Sequence, residues 1–140
     1  MNVEHHPRFT LWLAQQADDL DIYGDLSALL GALETQSEQL LSGHDECHPV
    51  VTSPYLYALR RTPPTMTTPY ATRPPVIRML FALTAAADEN IRTAIMLVGG
   101  DKTRFGNLWY PPKIAEAHSR LSEWTLQSQT KPIQQRGTRR

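Results

Sequence analysis

The chain has 140 residues, of which 41% are hydrophobic and 20% are charged. This length fits one domain with its own core, and this composition excludes a wholly disordered chain. No apolar run approaches the roughly 18 residues of a membrane span, and the first ten residues lack the basic-then-apolar order of a signal peptide, so we expect a cytoplasmic protein.

The net charge of zero hides an asymmetry between the two ends of the chain. Residues 1–50 hold one basic and nine acidic residues, whereas residues 51–140 hold thirteen basic and five acidic residues. Such a division is typical of a chain whose second part faces a polyanion, and equally of helices with acidic solvated faces. Charge alone leaves both interpretations open.

The first part of the chain has a helical pattern. From Phe9 onward, apolar residues recur three and four positions apart, which places their side chains on one helix face. A break at residues 22–24 and a capping side chain at Asp25 then predict a second helix. Together these segments predict a helical hairpin over about residues 8–43.

The segment that follows contains the single cysteine, Cys47, which cannot form an internal disulfide. It lies within HDECH, residues 44–48, whose side chains are of metal-ligating types. No second cluster stands at a recognised zinc spacing, so a polar loop is favoured over a metal site. We therefore expect neither a metal nor a cofactor.

Prolines divide the middle of the chain into pieces too short for helices. Strands are the better prediction, and we expect a small antiparallel sheet over about residues 54–99. The expected strands are residues 55–61, 76–83 and 91–98. A long loop, residues 63–75, is expected to connect the first strand to the second.

The last third of the chain predicts a helix and a tail. Gly99-Gly100 is expected to end the last strand, and a helix over about residues 111–126 begins at two prolines, which a first helical turn tolerates. Residues 128–140 have no apolar periodicity and predict a flexible basic tail. The element order α-α-β-β-β-α predicts an α+β fold.

Strand parity gives the first functional indication. Arg78 alternates with Ile77 and Met79 in an otherwise apolar strand, so it points to the opposite face from them. If the apolar face packs beneath the helices, Arg78 projects from the exposed face of the sheet. It is then either a site residue or a solvated strand residue.

The second indication is the sequence VGGDKTRFGNLWY, residues 98–110. Lys102 and Arg104 precede Trp109 and Tyr110, and cations beside aromatic rings suit RNA, whose phosphates and unpaired bases they can bind. The lysine lacks the glycine spacing of a Walker loop. The alternative is a purely structural role, in which Trp109 belongs to the core.

The run from Val76 to Ala117 resembles the C-terminal half of RelE/HigB-like toxins, in particular a phage branch of the RelE/ParE superfamily. The shared features are an arginine-bearing strand, a strand that ends in VGGDK, a WY pair and a closing helix. Upstream, Leu59-Arg60 resembles a Leu-Arg pair of the family. The resemblance covers roughly residues 50–125.

This resemblance implies a compact toxin of a type II toxin–antitoxin system that cleaves mRNA, usually on the ribosome, and does so without a metal. It also implies a cognate antitoxin, expected to be a helix-turn-helix protein. Arg78 matches the family's phosphate-holding arginine, Lys102 or Arg104 its basic loop, and Tyr110 the tyrosine that stacks on RNA or assists proton transfer. The further expected RNA-binding residues are Arg60, Arg61, Arg73, Lys113, Trp109 and His118.

The sequence departs from the founding RelE type, which has lysines where this chain has Leu56 and Ala58. Arg60 and Arg61 can replace the charge of those lysines, but a guanidinium stays protonated and is a poor general base. Tyr110, His118 and Lys102 remain open for proton transfer, although the place of His118 in an apolar helical stripe favours packing.

Two other functions stay open. ParE-like toxins share the architecture but inhibit DNA gyrase, and a degenerate toxin without activity could persist as a binding module. The missing strand lysines and the neutral net charge favour the second of these.

Overall fold

The computed structural model describes residues 1–42, 45–61, 75–86 and 91–135, which form a mixed α+β fold. Among these residues, no helix combines the length and the apolar character needed to cross a bilayer. In chain order, the helices and strands are β1 (Asn2–His5), α1 (Pro7–Gln15), α2 (Leu20–Thr35), α3 (Ser37–Leu41), β2 (Cys47–Pro49), β3 (Leu56–Arg60), β4 (Ile77–Ala86), β5 (Thr93–Asp101), α4 (Tyr110–Ser128) and β6 (Thr130–Pro132), with 3₁₀ turns at Gln16–Asp18 and Gly106–Trp109.

The described strands form one sheet with the order β1-β5-β4-β3-β2. The strands expected over residues 54–99 pair antiparallel, as predicted, whereas β1, which was not predicted, adds a parallel edge strand beside β5. β6 pairs with the end of β4, at Thr84–Ala86, beyond the reach of β3. A parallel edge strand depends on a non-local pairing that periodicity does not encode.

Two apolar cores lie on opposite faces of this sheet. One face carries α1, α2 and α3, and the other carries α4. Side chains of β4 alternate strictly between the two cores: Met79 and Phe81 face the first, Leu80 and Ala82 the second. We expected this second face to be exposed to solvent, but α4 covers it.

The N-terminal helices begin at other residues than the sequence predicted. α2 runs without interruption through residues 22–24, where a break was expected, because Ile22 is needed in the core. Its N-cap is Asp19 and not Asp25: the Asp19 carboxylate accepts hydrogen bonds from the backbone N–H groups of Asp21 at 3.1 Å and Ile22 at 3.2 Å. β1, which precedes these helices, was not predicted.

β5 continues through Gly99 and Gly100 to Asp101, so the prediction that the glycines end the strand is wrong. The two glycines have a packing reason. A methyl group on Gly99 would overlap the ring of Trp12 on α1, and one on Gly100 would come within 2.9 Å of the ring of Trp109. The glycines let one tryptophan approach each face of the sheet.

The prediction of a flexible tail fails for the part of it that the structure describes. Ile133 donates its N–H to the carbonyl of Leu83 at 2.8 Å, and the N–H of Gln135 donates to the carbonyl of Pro54 at 2.7 Å. Gln135 is buried, so the chain after α4 returns to the sheet. The arginines at 136, 139 and 140 lie outside the described residues, as do residues 63–74 of the expected loop and residues 87–90.

The contact between Gly99 and Trp12 predicts a large effect of a small substitution. Gly99→Ala is expected to destabilise the protein by roughly 1–3 kcal/mol, because the methyl group overpacks the core and displaces the Trp12 ring. Gly31→Ala is the matched control: a Cβ there meets nothing within 4 Å, and alanine in a helix is expected to raise stability by about 0.5–1 kcal/mol. Urea denaturation of both variants measures the two changes, and equal stability of the Gly99 variant and the wild type contradicts this prediction.

Candidate functional site

Three cationic side chains lie together on the α4 side of the sheet. Arg60 of β3 and Arg78 of β4 are direct partners in the strand register, and Lys102 follows the end of β5. Burial, and then the positive charges of Arg78 and Arg60, lower the pKa of Lys102. The three charges are therefore close enough to act on one another, and we call them the cationic cluster.

Arg78 is the most buried member of the cluster, with 6% of its surface exposed. Strand parity placed it correctly on the face opposite Ile77 and Met79, but the expectation that it projects into solvent is wrong. The ring of Trp109 packs over Gly100, the register partner of Arg78, and α4 covers the neighbouring strand residues. One guanidinium nitrogen, Nη1, donates to the carbonyl of Ile77 at 3.0 Å.

The Nε atom of Arg78 is buried and has no hydrogen-bond partner among the described residues. A buried donor on a charged group that lacks a partner is costly, and so is a like charge at the directly opposed strand position. An anion bound between the two guanidinium groups would offset the repulsion between their like charges. The pair is therefore a candidate anion site.

No acidic side chain neutralises the cluster in the part of the chain that the structure describes. The ion pairs found there involve other cations, namely His6, Arg61, Arg92, Lys113 and Arg120. The segment 62–74 contains no aspartate or glutamate in its sequence. The carboxylate of Asp101 instead accepts from the backbone N–H groups of Val76 at 3.1 Å and Thr103 at 2.9 Å, which fixes the start of the loop that carries Lys102.

Tyr110 joins the cationic cluster to a pocket. The Nζ atom of Lys102 lies 5.3 Å from the centroid of the Tyr110 ring, within the range of a cation–π interaction. The ring also meets Trp109 edge-on at 5.1 Å. A pocket of about 470 Å³ opens beside it, between the β2–β3 connection and the first turn of α4, and Arg60 lines this pocket together with Tyr110.

Several residues expected to bind RNA lie elsewhere. Arg61 has the opposite strand parity to Arg60 and donates to the carboxylate of Asp25 at 2.9 Å on the other face of the sheet. Trp109, only 4% exposed, belongs to the core under α4, so it cannot stack on a base without leaving that core. These two side chains therefore lie outside the cationic cluster and the pocket.

Three other expected residues are occupied by local contacts. The Nε2 atom of His118 is hydrogen-bonded to the hydroxyl of Ser53 at 2.8 Å, in agreement with the packing role that its apolar stripe favours. Lys113 pairs with Glu116 at 3.6 Å. Arg104 is exposed and lies over the ring of Phe105, outside the pocket lining. Arg73 lies outside the described residues.

His48 is a site residue that the sequence analysis did not select. It lies opposite Ala58 in the β2–β3 register, and its side chain lines the pocket together with Arg60 and Tyr110. The sequence pattern placed it in a polar loop because a strand of three residues that ends in proline gives no periodic signal. Once β2 is known, parity puts His48 on the face of Ala58 and Arg60.

Within the described ranges, no group of three or more histidine, cysteine, aspartate or glutamate side chains could hold a metal ion. Of the HDECH segment, His44 lies outside those ranges. Cys47 is buried in the first core, and this burial raises its pKa to about 12, so the thiol stays protonated.

Comparison with protein-family models, with curated proteins and with solved structures finds no match for this chain. The interpretation of the site consequently depends on its own geometry and on the resemblance of the stretch around VGGDK and WY.

The lowered pKa of Lys102 predicts a pH dependence of stability. The unfolded chain keeps this proton up to about the ordinary 10.5, so between the lowered folded pKa and 10.5 the unfolded state binds more protons. The cost of the charged Lys102 side chain, first from its burial and then from the two arginines, is therefore fully present below the folded pKa and is lost as the pH rises through this window. As the pH rises through this window, the free energy of unfolding of the wild type should increase relative to that of Lys102→Met. Urea denaturation at successive pH values measures both free energies. A difference that stays constant across the window contradicts the lowered pKa of Lys102.

Proposed function

We propose that this protein is the toxin of a type II toxin–antitoxin system, an endoribonuclease that cleaves mRNA on the ribosome. The observation that carries the proposal is the cationic cluster: three positive charges without an acidic partner in the described structure, next to an aromatic ring and a pocket. The resemblance of residues 76–117 to RelE/HigB-like toxins supports the same function.

The proposed reaction uses the substrate's own 2′-hydroxyl group. Its oxygen attacks the adjacent phosphorus, and the bond from phosphorus to the 5′-oxygen of the next nucleotide breaks, which leaves a 2′,3′-cyclic phosphate and a 5′-hydroxyl end. Negative charge develops on the phosphate oxygens in the transition state. Arg60, Arg78 and Lys102 hold positive charge at this position in a partly water-excluded site, where it stabilises the transition state most.

Proton transfer needs one group that accepts the 2′-hydroxyl proton and one that supplies a proton to the 5′-oxygen. His118 is hydrogen-bonded to Ser53 and does not line the pocket, so we no longer propose it as a proton-transfer group. His48 takes its place, because an imidazole can both accept and donate a proton and this one lines the pocket with Arg60. Lys102, whose pKa is lowered, is the second candidate.

Two partners belong to the proposal. One is mRNA on the ribosome, and the other is a cognate antitoxin of the helix-turn-helix class, encoded by a neighbouring gene. Both come from the family resemblance. A genomic neighbourhood without any small DNA-binding protein would count against the antitoxin.

The test is a cleavage assay on translating ribosomes with the purified protein, followed by mapping of the RNA ends. We expect new 5′-hydroxyl ends within the reading frame, formed equally well in the presence of EDTA at a concentration that leaves the ribosomes intact. Intact transcripts together with inhibited supercoiling by gyrase would replace the proposal with a ParE-like function. Intact transcripts with neither effect, and no growth arrest on expression, would indicate an inactive binding module.

A further inference from the structure

We propose that the pocket beside the cationic cluster is a subsite for one unpaired nucleobase of the RNA. This is the base of the nucleotide whose phosphate the cluster holds. This inference rests on the proposed function for the nature of the ligand. It adds that the protein itself selects among bases, and it assigns a role to a pocket that phosphate binding alone does not need.

The walls of the pocket suit a flat aromatic ring. Its volume of about 470 Å³ lies in the range of sites that enclose small ligands, roughly 300–1,000 Å³. Apolar side chains from two sides, including Pro49, Val51, Pro111 and Ile114, form most of its surface, and the Tyr110 ring closes one end.

The polar groups of the pocket are few and can reach the edge of a base. Asn107 accepts a hydrogen bond from the Nζ atom of Lys102 at 3.2 Å through its Oδ1 atom, which leaves its amide NH₂ group free to donate. His48 supplies a ring nitrogen on the other side. A few polar groups among apolar walls provide orientation and specificity in small-ligand sites.

Arg60 connects the pocket to the phosphate site. Its side chain lines the pocket, and its register partner is Arg78, the buried arginine whose Nε atom finds no partner in the described part of the chain. A nucleotide whose base enters the pocket therefore has its phosphate directed toward Arg78 and Lys102. A plain apolar peptide would leave this charge uncompensated, so the neighbouring cations favour a nucleotide as the occupant.

The experiment compares the binding of nucleoside 3′-monophosphates, ribose 5-phosphate and inorganic phosphate to the full-length protein by NMR titration. We expect at least one of the four nucleotides to bind about 5- to 150-fold tighter than ribose 5-phosphate, the range that base–aromatic stacking gives. The backbone amides of Val51, Thr52 and Ile114 should shift with the nucleotides and not with ribose 5-phosphate.

Thr52→Leu narrows the pocket from its exposed rim, and Ala58→Val narrows it from the strand beneath, so that the test does not depend on one variant. Both are expected to reduce the preference for nucleotides over ribose 5-phosphate at least fivefold and to leave the affinity for inorganic phosphate unchanged. Ser119→Leu, on the exposed face of α4 and outside the pocket lining, is the matched control and should change neither quantity.

Nucleotides that bind no tighter than ribose 5-phosphate would overturn the subsite, even if the wild-type protein cleaves mRNA. A preference that survives in both narrowed variants would overturn it as well. Conversely, base-dependent binding that both variants weaken, in a protein that leaves mRNA intact, would support the subsite and refute the nuclease. The two proposals can therefore fail independently.

Discussion

Arg78→Met is expected to lower the rate of mRNA cleavage about 10²- to 10³-fold, the loss that follows removal of one transition-state donor in other enzymes. The same substitution should leave the protein at least as stable as the wild type. Arg78 is buried, is opposite Arg60 in the register and has an Nε atom without a partner within the described ranges, so its charge opposes folding when no anion is bound. Replacement of a buried charge that has no oppositely charged partner also removes the desolvation cost of that charge, so the change is expected to be neutral or stabilising.

The matched control is Arg61→Met, at the residue that directly follows Arg60 and the end of β3. Arg61 points to the other face, where it donates to Asp25, whose carboxylate is about half exposed. Its loss should lower stability modestly and leave cleavage unchanged, which is the reverse of the effect at Arg78. Urea denaturation without phosphate, together with the ribosome cleavage assay, measures both quantities for each variant.

The Arg78 and Arg61 variants are expected to change stability in opposite directions, and only the Arg78 variant is expected to lose cleavage. If Arg78→Met destabilised the protein as much as an ordinary buried-core change does and left cleavage intact, Arg78 would be a structural residue and the anion site would be refuted. Addition of inorganic phosphate provides an independent measurement, because a ligand that binds only the folded state stabilises it. Phosphate should raise the stability of the wild type more than that of the Arg78 variant.

Strand parity, applied to local sequence, accounts for the part of the site that could be predicted. It assigned Arg78 to the face opposite Ile77 and Met79, and the structure agrees. The same rule separates Arg60 from Arg61, since adjacent residues of a strand point to opposite faces. The expectation that both arginines bind RNA at one site therefore conflicts with strand parity itself.

The errors concern what covers each face. Whether Arg78 is exposed depends on α4, more than thirty residues later in the chain, which packs on that face through Ala117 and Leu121. No periodicity within β4 contains this information. The same applies to β1 and β6, short strands whose existence depends on pairing with β5 and β4 and not on their own residues.

His48 shows a different limit. Its residue type was noted, but only as a possible metal ligand within HDECH, because three strand residues carry no measurable alternation. Its place beside Arg60 follows from the β2–β3 pairing, in which it lies opposite Ala58. A site assembled from three strands and a helix start is a product of tertiary structure, and only those members that lie on long strands or in a recognisable motif can be predicted from the sequence.

Tyr110 is expected to act through its ring and not through its hydroxyl group. The ring lines the pocket and lies 5.3 Å from the Lys102 Nζ atom, whereas the hydroxyl has no hydrogen-bond partner among the described residues. Tyr110→Phe should therefore keep cleavage within about fivefold of the wild type, the effect of one neutral hydrogen bond. Tyr110→Leu should weaken RNA binding about 5- to 150-fold, because it removes the stacking surface.

Kinetic measurements separate this role from the alternative. A lost stacking surface raises KM and leaves kcat nearly unchanged, because it binds the ground state and the transition state alike. If the hydroxyl transferred a proton, Tyr110→Phe would lower kcat about 10²- to 10⁴-fold, and proton transfer would have to be reassigned from His48 and Lys102 to Tyr110. Tyr23→Leu, the same change in a partly buried tyrosine of α2 on the other face of the sheet, is the control and should leave both constants unchanged.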